Sequence, residues 1–555
     1  MKDLVSNVLS KVVDLSKEEI TSLIEIPPNS TMGDFAFPCF ALSKKLKKNP
    51  LEISKEISSK IKSDKFEKVT SMGPYVNFFL DRNKIAESVI SKILKEKSKF
   101  GSVKGKDKIM IEFSQANTHK AFHIGHIRGT SLGESIARIL EFTGNKVLRV
   151  NYQGDTGMHV AKWIWCYKKY HSKEKLSKDE SWIAGIYVDS VKKLSDNPDL
   201  QSEVDEINKK LEEKSDKQLT ALWEKTRKLS LEAFEQIYSD LDTSFDKYFF
   251  ESAFEKRGKE ISKKLVEKKI AEISEGATII RLEKENLGVW VLLRKDGTVL
   301  YSAKDLALAE LKSDKFDLSK SMYIVGAAQR QHFMQLFKTL EKMGESKPEK
   351  IYLPVTEVRL PTGKMSSRTG DNVLYSDFKK ELVEYAKNEI KAREKLSGKE
   401  LDERALRISI ASLKYSMLKQ DLNKSIIFDK KESLSFEGNS GPYLLYSYAR
   451  ANSILKKVKS KKVKKSSPTI SDSEKSLISH LANFEDIVIN ARNNYSPNLI
   501  ANYSYELCQK FNEFYHNSQV IGSDNESFRL ELVRSFMIVL QNSLSLLGIK
   551  TIDKM

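Results

Sequence analysis

The chain has 555 residues, 40% of them hydrophobic and 31% charged, which excludes a disordered protein and, at roughly 150 residues per domain, a single compact domain. Its formal charge of +18 favours a polyanionic partner, nucleic acid first. No run approaches the roughly 18 apolar residues of a membrane span, and the N-terminal MKDLVSNVLSKVVDLSKEE lacks a signal-peptide pattern. Cys39, Cys166 and Cys508 lie far apart, so neither a disulfide framework nor a cysteine-based zinc site is expected, and a reducing cytoplasm is.

In chain order, residues 1–95 read as a small α+β unit: two helical stretches broken at Pro27-Pro28, then the strand-like Gly73-Pro74-Tyr75-Val76-Asn77-Phe78-Phe79-Leu80. A polar linker over 96–107 leads to a strand (KIMIEFS), a loop, and an amphipathic helix over about 123–142 stopped by Gly144. A strand over 146–152 completes a βαβ unit and implies a parallel, doubly wound sheet. Residues 170–275 are polar and helical in period, an insertion between the halves of a catalytic domain over 105–378. Asp296-Gly297 marks a hairpin turn. A helix over 304–312, a strand over 322–326, a helix over 329–343 and a strand over 351–360 then finish the second half. The remainder, 379–555, is helical apart from Lys456–Lys465, with seven lysines in ten residues, and the Ser466-Ser467-Pro468 break after it.

Two short motifs carry chemistry. His123-Ile124-Gly125-His126 sits where a strand-loop gives way to a helix, so two imidazoles join free backbone N–H groups and the positive end of the helix dipole in a phosphate site. Gly125 leaves room for a nucleotide. By spacing alone, His123 and His126 have a plainer reading as a metal-binding or exposed pair. Gly363-Lys364-Met365-Ser366-Ser367-Arg368-Thr369-Gly370 places two cations and two serine hydroxyls on a Gly-bounded loop, suited to a departing pyrophosphate; alone, it reads as a solvated basic loop.

Together, about 240 residues apart, the two resemble the paired motifs of class I aminoacyl-tRNA synthetases. Residues Glu112 to His126, EFSQANTHKAFHIGH, look like the arginyl-tRNA synthetase pattern, as do Val325-Gly326-Ala327-Ala328-Gln329 with His332-Phe333, Gly438 to Tyr446 with Arg450, and Phe511 to His516. The resemblance spans the chain. It implies a Rossmann-like catalytic domain, a tRNA-binding N-terminal domain and an all-α anticodon-binding C-terminal domain. It also implies the activity: ATP, with Mg2+, and L-arginine form arginyl-adenylate, whose arginyl group passes to tRNA(Arg). A monomer with no protein-ligated metal is expected.

By that resemblance His123, Gly125, His126, Lys364, Met365, Ser366 and Ser367 bind ATP. Glu112, Ser114 and Asn117 hold the α-amino end of arginine, and Tyr301, Asp305 and Gln329 read its guanidinium, for which a carboxylate is the natural acceptor. Asn77, Phe79, Tyr443, Arg450 and Met555 meet tRNA, where an aromatic or arginine plane can stack on a splayed base. Three departures stand out. Ser367 occupies the place of a familiar lysine, for which Lys120 and Arg368 are the substitutes; Ala116 replaces a proline; and Gly154 to His159 match the family only loosely. Two other readings remain at this point: a class I synthetase for another amino acid, and a catalytically inactive RNA-binding relative.

Overall fold

The computed structural model describes residues 2–63, 65–359, 361, 374–458 and 470–555. Its contacts form two compact units, the first from 1–101, 450–486 and 506–542, the second from 102–449, 487–505 and 543–555. The helical C-terminal part is thus shared between the two units.

In the first unit, strands Phe35–Pro38, Tyr75–Leu80 and Phe66–Met72 form an antiparallel sheet with Tyr75–Leu80 in the middle. Helices Lys2–Leu9, Lys17–Leu23 and Pro50–Lys60 cover it over a core of Val5, Ile20, Phe37, Ile57, Val76 and Phe78. Asn77 is buried and donates to the Met32 carbonyl at 2.6 Å, so its side chain holds the Ser30–Met32 turn inside the unit. Phe79 is half-buried with Lys68 Nζ 5.7 Å above its ring.

The second unit is built on a five-stranded parallel sheet in the order Glu349–Val355, Lys320–Gly326, Lys108–Glu112, Lys146–Gln153, Lys247–Phe250. The first of these five strands in chain order, Lys108–Glu112, lies at the centre and the order reverses there. Carboxyl ends of the strands flanking such a switch point frame a binding crevice. The edge strand Lys247–Phe250 falls inside the stretch read as insertion. Helices Met158–Tyr170, Glu180–Asp196, Gln201–Glu213 and Lys217–Asp240 instead fill the gap before it, around Trp163, Trp165, Ile186, Val204 and Trp223. Period alone missed a four-residue strand buried in polar helical sequence.

The second half follows the sequence closely, with helices Tyr301–Lys315 and Arg330–Lys342 packing on the sheet. The Asp296-Gly297 turn forms, with Gly297 at φ +80°, but Val299 joins only by an isolated bridge to Leu293, because the chain turns into helix Tyr301–Lys315 directly afterwards. Among the described residues no helix is long and apolar enough to cross a membrane, and all three cysteines are free. Most of the Lys456–Lys465 run lies outside the described residues.

Helix Ile124–Phe142 runs buried along nearly its whole length, which requires small residues where it crosses the sheet. A Cβ on Gly133 would fall against the ring of Phe113, itself fully buried. Gly133→Ala should therefore destabilise the second unit by about 1–3 kcal/mol through overpacking, despite Ala's better helix propensity. A urea midpoint equal to or above that of the parent chain would contradict this packing.

Candidate active site

The loop from Phe113 to Phe122 carries three non-glycine residues in the left-handed region, Ser114, Gln115 and His119, and its partners hold it there. Asn151 Oδ1 accepts from Gln115 N at 3.1 Å, Gly154 O accepts from Thr118 N at 2.9 Å, and Ser230 Oγ accepts from His119 N at 3.0 Å. The fully buried His119 ring sits between Thr118 and Thr226 hydroxyls at 3.0 and 2.8 Å. This over-determined loop delivers the chain to the helix start.

There the two histidines cap the helix reciprocally. His123 is the N-cap; its Nδ1 accepts from Gly125 N at 3.1 Å, and His126 Nδ1 accepts from His123 N at 3.2 Å. The rings lie 3.9 Å apart, tilted 30°. An Nδ1 that accepts leaves the proton on Nε2, so both rings offer an outward Nε2–H. Desolvation, with Lys120 nearby, pushes His123 down to about 4, and desolvation with the neighbouring His123 and Lys120 charges pushes His126 well below the ordinary 6.5. Both rings are therefore neutral donors at pH 7. The two imidazoles thus meet the helix-start N–H groups as a capping box.

Two cavities adjoin here. The larger, about 730 Å³, is lined by Glu112, Asn117, Tyr152, His159, Asp305 and Gln329 among others. Asp305 Oδ2 accepts from His332 Nε2 at 2.6 Å, and His332 Nδ1 accepts from Trp290 Nε1 at 3.2 Å, which fixes the imidazole tautomer. Tyr301, 58% exposed, stacks obliquely on His332 with centroids 4.7 Å apart. Glu112 is buried; one oxygen accepts from Lys312 Nζ at 2.5 Å and the other from Gln115 Nε2 at 2.9 Å. Burial raises Glu251 to about 7, against the lowering pull of Lys304 3.7 Å away. Ser114 does not line either cavity: its hydroxyl bonds Tyr238 and Thr130, both at 2.9 Å. Sequence reasoning quoted His332 as a motif position without giving it a role and did not single out Lys312, Tyr152 or Glu251, because each acts through a tertiary contact. His159, matched only loosely, faces the cavity with an Nε2 that is shielded and has no hydrogen-bond partner. The preceding Gly154-Asp155 is structural: Asp155 takes Arg227 at 2.8 Å and Ser252, and a Cβ on Gly154 would collide with Asn117 Oδ1.

The second cavity, about 500 Å³, is lined by His123, His126, Lys120, Tyr187, Asp189 and Leu374, with Asn117. Asn117, Lys120 and Tyr187 line both cavities, and Lys120 Nζ lies 5.1 Å from the Tyr187 ring centroid. Lys364, Met365, Ser366, Ser367 and Arg368 lie outside the described residues. The segments on either side of them are tied to the same helix. Buried Arg128 donates to Thr356 and Glu357 carbonyls at 3.0 and 3.3 Å and to Lys424 O at 2.8 Å, while Leu374 bridges His123 and Tyr375 N donates to Phe122 O at 3.0 Å. Glu180 spans Phe122 N and Ser376 N at 3.1 and 3.0 Å.

Further along the second unit, Tyr443 sits in the first turn of helix Gly441–Lys457, 5.6 Å from Tyr505, and Met555 is half-exposed at the chain end. In the first unit, Arg450 donates to Asn512 Oδ1 at 3.1 Å and covers the Tyr515 ring at 5.4 Å.

Residues 89–430 match the family model described as "tRNA synthetases class I (R), catalytic domain", which places this sheet and its histidine-capped helix among the class I aminoacyl-tRNA synthetases. Residues 444–555 match the "DALR anticodon binding domain" and 1–80 the "Arginyl tRNA synthetase N terminal domain". Arginine--tRNA ligases of Clostridium perfringens and Clostridium acetobutylicum are 36% and 37% identical over the full length of both chains. The fold superposes on the Thermus thermophilus arginyl-tRNA synthetase with a TM-score of 0.81, at 24% identity over all of this chain and 99% of that one. The chain belongs to the arginyl-tRNA synthetase family.

Because burial holds His119 at about 3 and His123 at about 4, the folded protein refuses protons that the unfolded chain takes up as pH falls through 6.5. Their contribution is present above pH 6.5 and is lost as pH falls toward about 4 for His123 and about 3 for His119, at up to about 1.4 kcal/mol per pH unit for each ring. The urea midpoint of His119→Gln should fall less steeply than that of the parent between pH 7 and 5; parallel curves would contradict the assignment.

Proposed function

We propose that the larger cavity holds arginine and the second holds ATP in an arginine–tRNA ligase, with Lys120 standing where the carboxylate of one substrate meets the α-phosphate of the other. One observation carries this reading: the Asp305 carboxylate, oriented by His332, and the capped helix start lie in adjoining cavities that share Asn117, Lys120 and Tyr187. A guanidinium needs a planar acceptor at one end of its site, and a triphosphate needs aligned donors at the other.

In this reading Asp305, oriented by His332, takes the guanidinium, with Tyr301 and Gln329 beside it. Glu112 keeps acceptor capacity beyond its two bonds for the α-amino group, and Asn117 and His159 supply the polar atoms nearest the reacting end. Ser114 acts behind the loop, through Tyr238 and Thr130. His123 and His126 donate through Nε2–H to phosphate oxygens, Gly125 leaves room for the nucleotide, and Lys364, Met365, Ser366 and Ser367 attend the leaving pyrophosphate. The arginine carboxylate attacks the α-phosphorus, the bond to pyrophosphate breaks, and a 3′-terminal ribose hydroxyl of tRNA then takes the arginyl group from AMP. Positioning and fixed donors provide the acceleration. ATP enters with Mg2+ carried on its phosphates.

tRNA is held by Phe79 and Arg450 of the first unit and by Tyr443 and Met555 of the second, aided by the surplus of positive charge; Asn77 supports the Phe79 strand from within the first unit. Three working parts follow: 1–95 for tRNA, 105–378 for catalysis with its insertion over 170–275, and 379–555 for the anticodon. The family spans 1–80, 89–430 and 444–555 support that division while extending the catalytic match to 430. The enzyme acts as a monomer in the cytoplasm. Against a synthetase for another amino acid stands Asp305 in the cavity, and against an inactive relative stands the intact histidine pair. Pyrophosphate exchange with the twenty amino acids, with and without tRNA, tests the whole reading; exchange with anything but arginine would sink it.

Asp305→Asn removes the charge facing the guanidinium and keeps its shape, so arginine KM should rise more than tenfold, within the roughly 2–5 kcal/mol of a truncated desolvated pair. A KM within twofold of the parent would take Asp305 out of the site. Lys120→Ala should cut kcat on the order of 10²–10³, as losing one preorganised charge does, with Arg368→Ala milder and Ser367→Lys restoring much of the lost rate in the Lys120→Ala background. Single-turnover arginyl transfer at saturating ATP decides it: a full-speed Lys120→Ala beside a crippled Arg368→Ala gives the role to Arg368.

Arginine KM should fall as pH rises through about 7, where Glu251 ionises and adds negative charge to the cavity. Glu251→Gln should flatten that profile; an unchanged profile would exclude Glu251 as its origin.

A further inference from the structure

Among the described residues, one cluster of three metal-ligating side chains lies beside the second cavity, sharing only Asp189 with its lining. Helix Met158–Tyr170 contributes Cys166, its C-terminal cap contributes His171, and helix Glu180–Asp196 contributes Asp189. Cys166 Sγ is 3.5 Å and His171 Nε2 3.1 Å from Asp189 Oδ2, and the three ligand atoms lie within 4.8 Å of one another. A tetrahedral Zn2+ with bonds of about 2.0–2.3 Å sets ligand-to-ligand edges of roughly 3.2–3.8 Å, so two of the three edges are already close to length.

The layer behind these atoms has the form a metal site uses. His171 Nδ1 lies 2.6 Å from Glu174 Oε1, and Glu174 is itself held by Trp182 Nε1 at 2.8 Å. A carboxylate on the far nitrogen fixes a ligating imidazole and raises its basicity. Cys166 is buried, while His171 and Asp189 side chains are 22% and 32% exposed, which leaves an entry path and room for a water as fourth ligand. The nearest cation, Lys193, is 3.6 Å from Asp189 Oδ2 and 4.2 Å from the Tyr170 ring centroid. It competes with a metal for Asp189 and lowers the affinity of the site.

We propose that Cys166, His171 and Asp189 bind Zn2+, with water in the fourth position. The thiolate, imidazole and carboxylate set suits zinc over magnesium or calcium. On coordination the Cys166 thiol proton leaves to solvent and a sulfur–zinc bond replaces its hydrogen bond to Asp189. The ion would staple helix Met158–Tyr170 to helix Glu180–Asp196, whose residues Tyr187, Val188 and Asp189 wall the second cavity, so its effect is on the rigidity of the proposed nucleotide site and not on the chemical step.

The test uses the full-length protein, stripped with a chelator and titrated with Zn2+ against a chromophoric competitor. One zinc per chain, a higher thermal midpoint, and with Co2+ a thiolate-to-cobalt charge-transfer band are expected. Cys166→Ser should abolish the band and weaken zinc binding at least tenfold. If Cys166→Ser does not fold, His171→Gln, at the insertion's surface, carries the same comparison. Less than one equivalent bound at saturating zinc, a cobalt complex without the thiolate band, or equal zinc affinity in the parent and the variant would each overturn the proposal.

Discussion

The reciprocal cap between His123 and His126 consumes two backbone donors at the head of helix Ile124–Phe142, and in doing so sets the direction and protonation of both rings. A helix start always leaves several N–H groups without partners, and Ser, Thr, Asp or Asn normally fills the place. Imidazole does the same with one nitrogen and keeps the other as a donor facing the cavity. The cost is paid in acid sensitivity, since neither ring can take a proton without breaking the cap. The helix is anchored behind this turn by Arg128, whose guanidinium collects carbonyls from the ends of two separate segments, and ahead of it by the Leu374 bridge.

The same economy governs the larger cavity. It is rich in carboxylates, yet each has a defined electrostatic setting: Glu112 with Lys312, Asp305 with His332, Glu251 against Lys304. Asp305 is the member whose partner is an imidazole in a tautomer fixed by Trp290. Glu112, paired with a buried ammonium, contributes shape and acceptor capacity more than net field. Under the proposed function, that division lets an acidic pocket for arginine adjoin a phosphate site across Asn117, Lys120 and Tyr187.

The parallel sheet was legible because its central strand, the helix after it and the next strand each carry strong periodicity and a clear stop. The edge strand Lys247–Phe250 was not, since four residues inside a lysine- and glutamate-rich helical region give no period to read. The histidines were found by motif, but their capping geometry depends on a loop held in the left-handed region by Asn151, Gly154 and Ser230, all distant in sequence. Ser114 and Asn77 show the converse: a motif position marks a residue that matters without saying whether it faces the ligand or the interior. The Cys166, His171 and Asp189 cluster escaped sequence reasoning for a similar reason. Cysteine spacing detects zinc sites built from local Cys pairs, whereas this one draws one ligand from a helix, one from its cap and one from a neighbouring helix.

The central claim, that His123 and His126 present neutral Nε2–H donors to the phosphates, is tested most directly by long-range proton–nitrogen correlation spectra of histidine-labelled protein, with each residue assigned by its Gln variant. The account predicts the Nε2–H tautomer for both rings at pH 7, a His123 midpoint near 4, and a shift of both Nε2 resonances on adding ATP. Protonated rings at pH 7, or the Nδ1–H tautomer at either position, would contradict it.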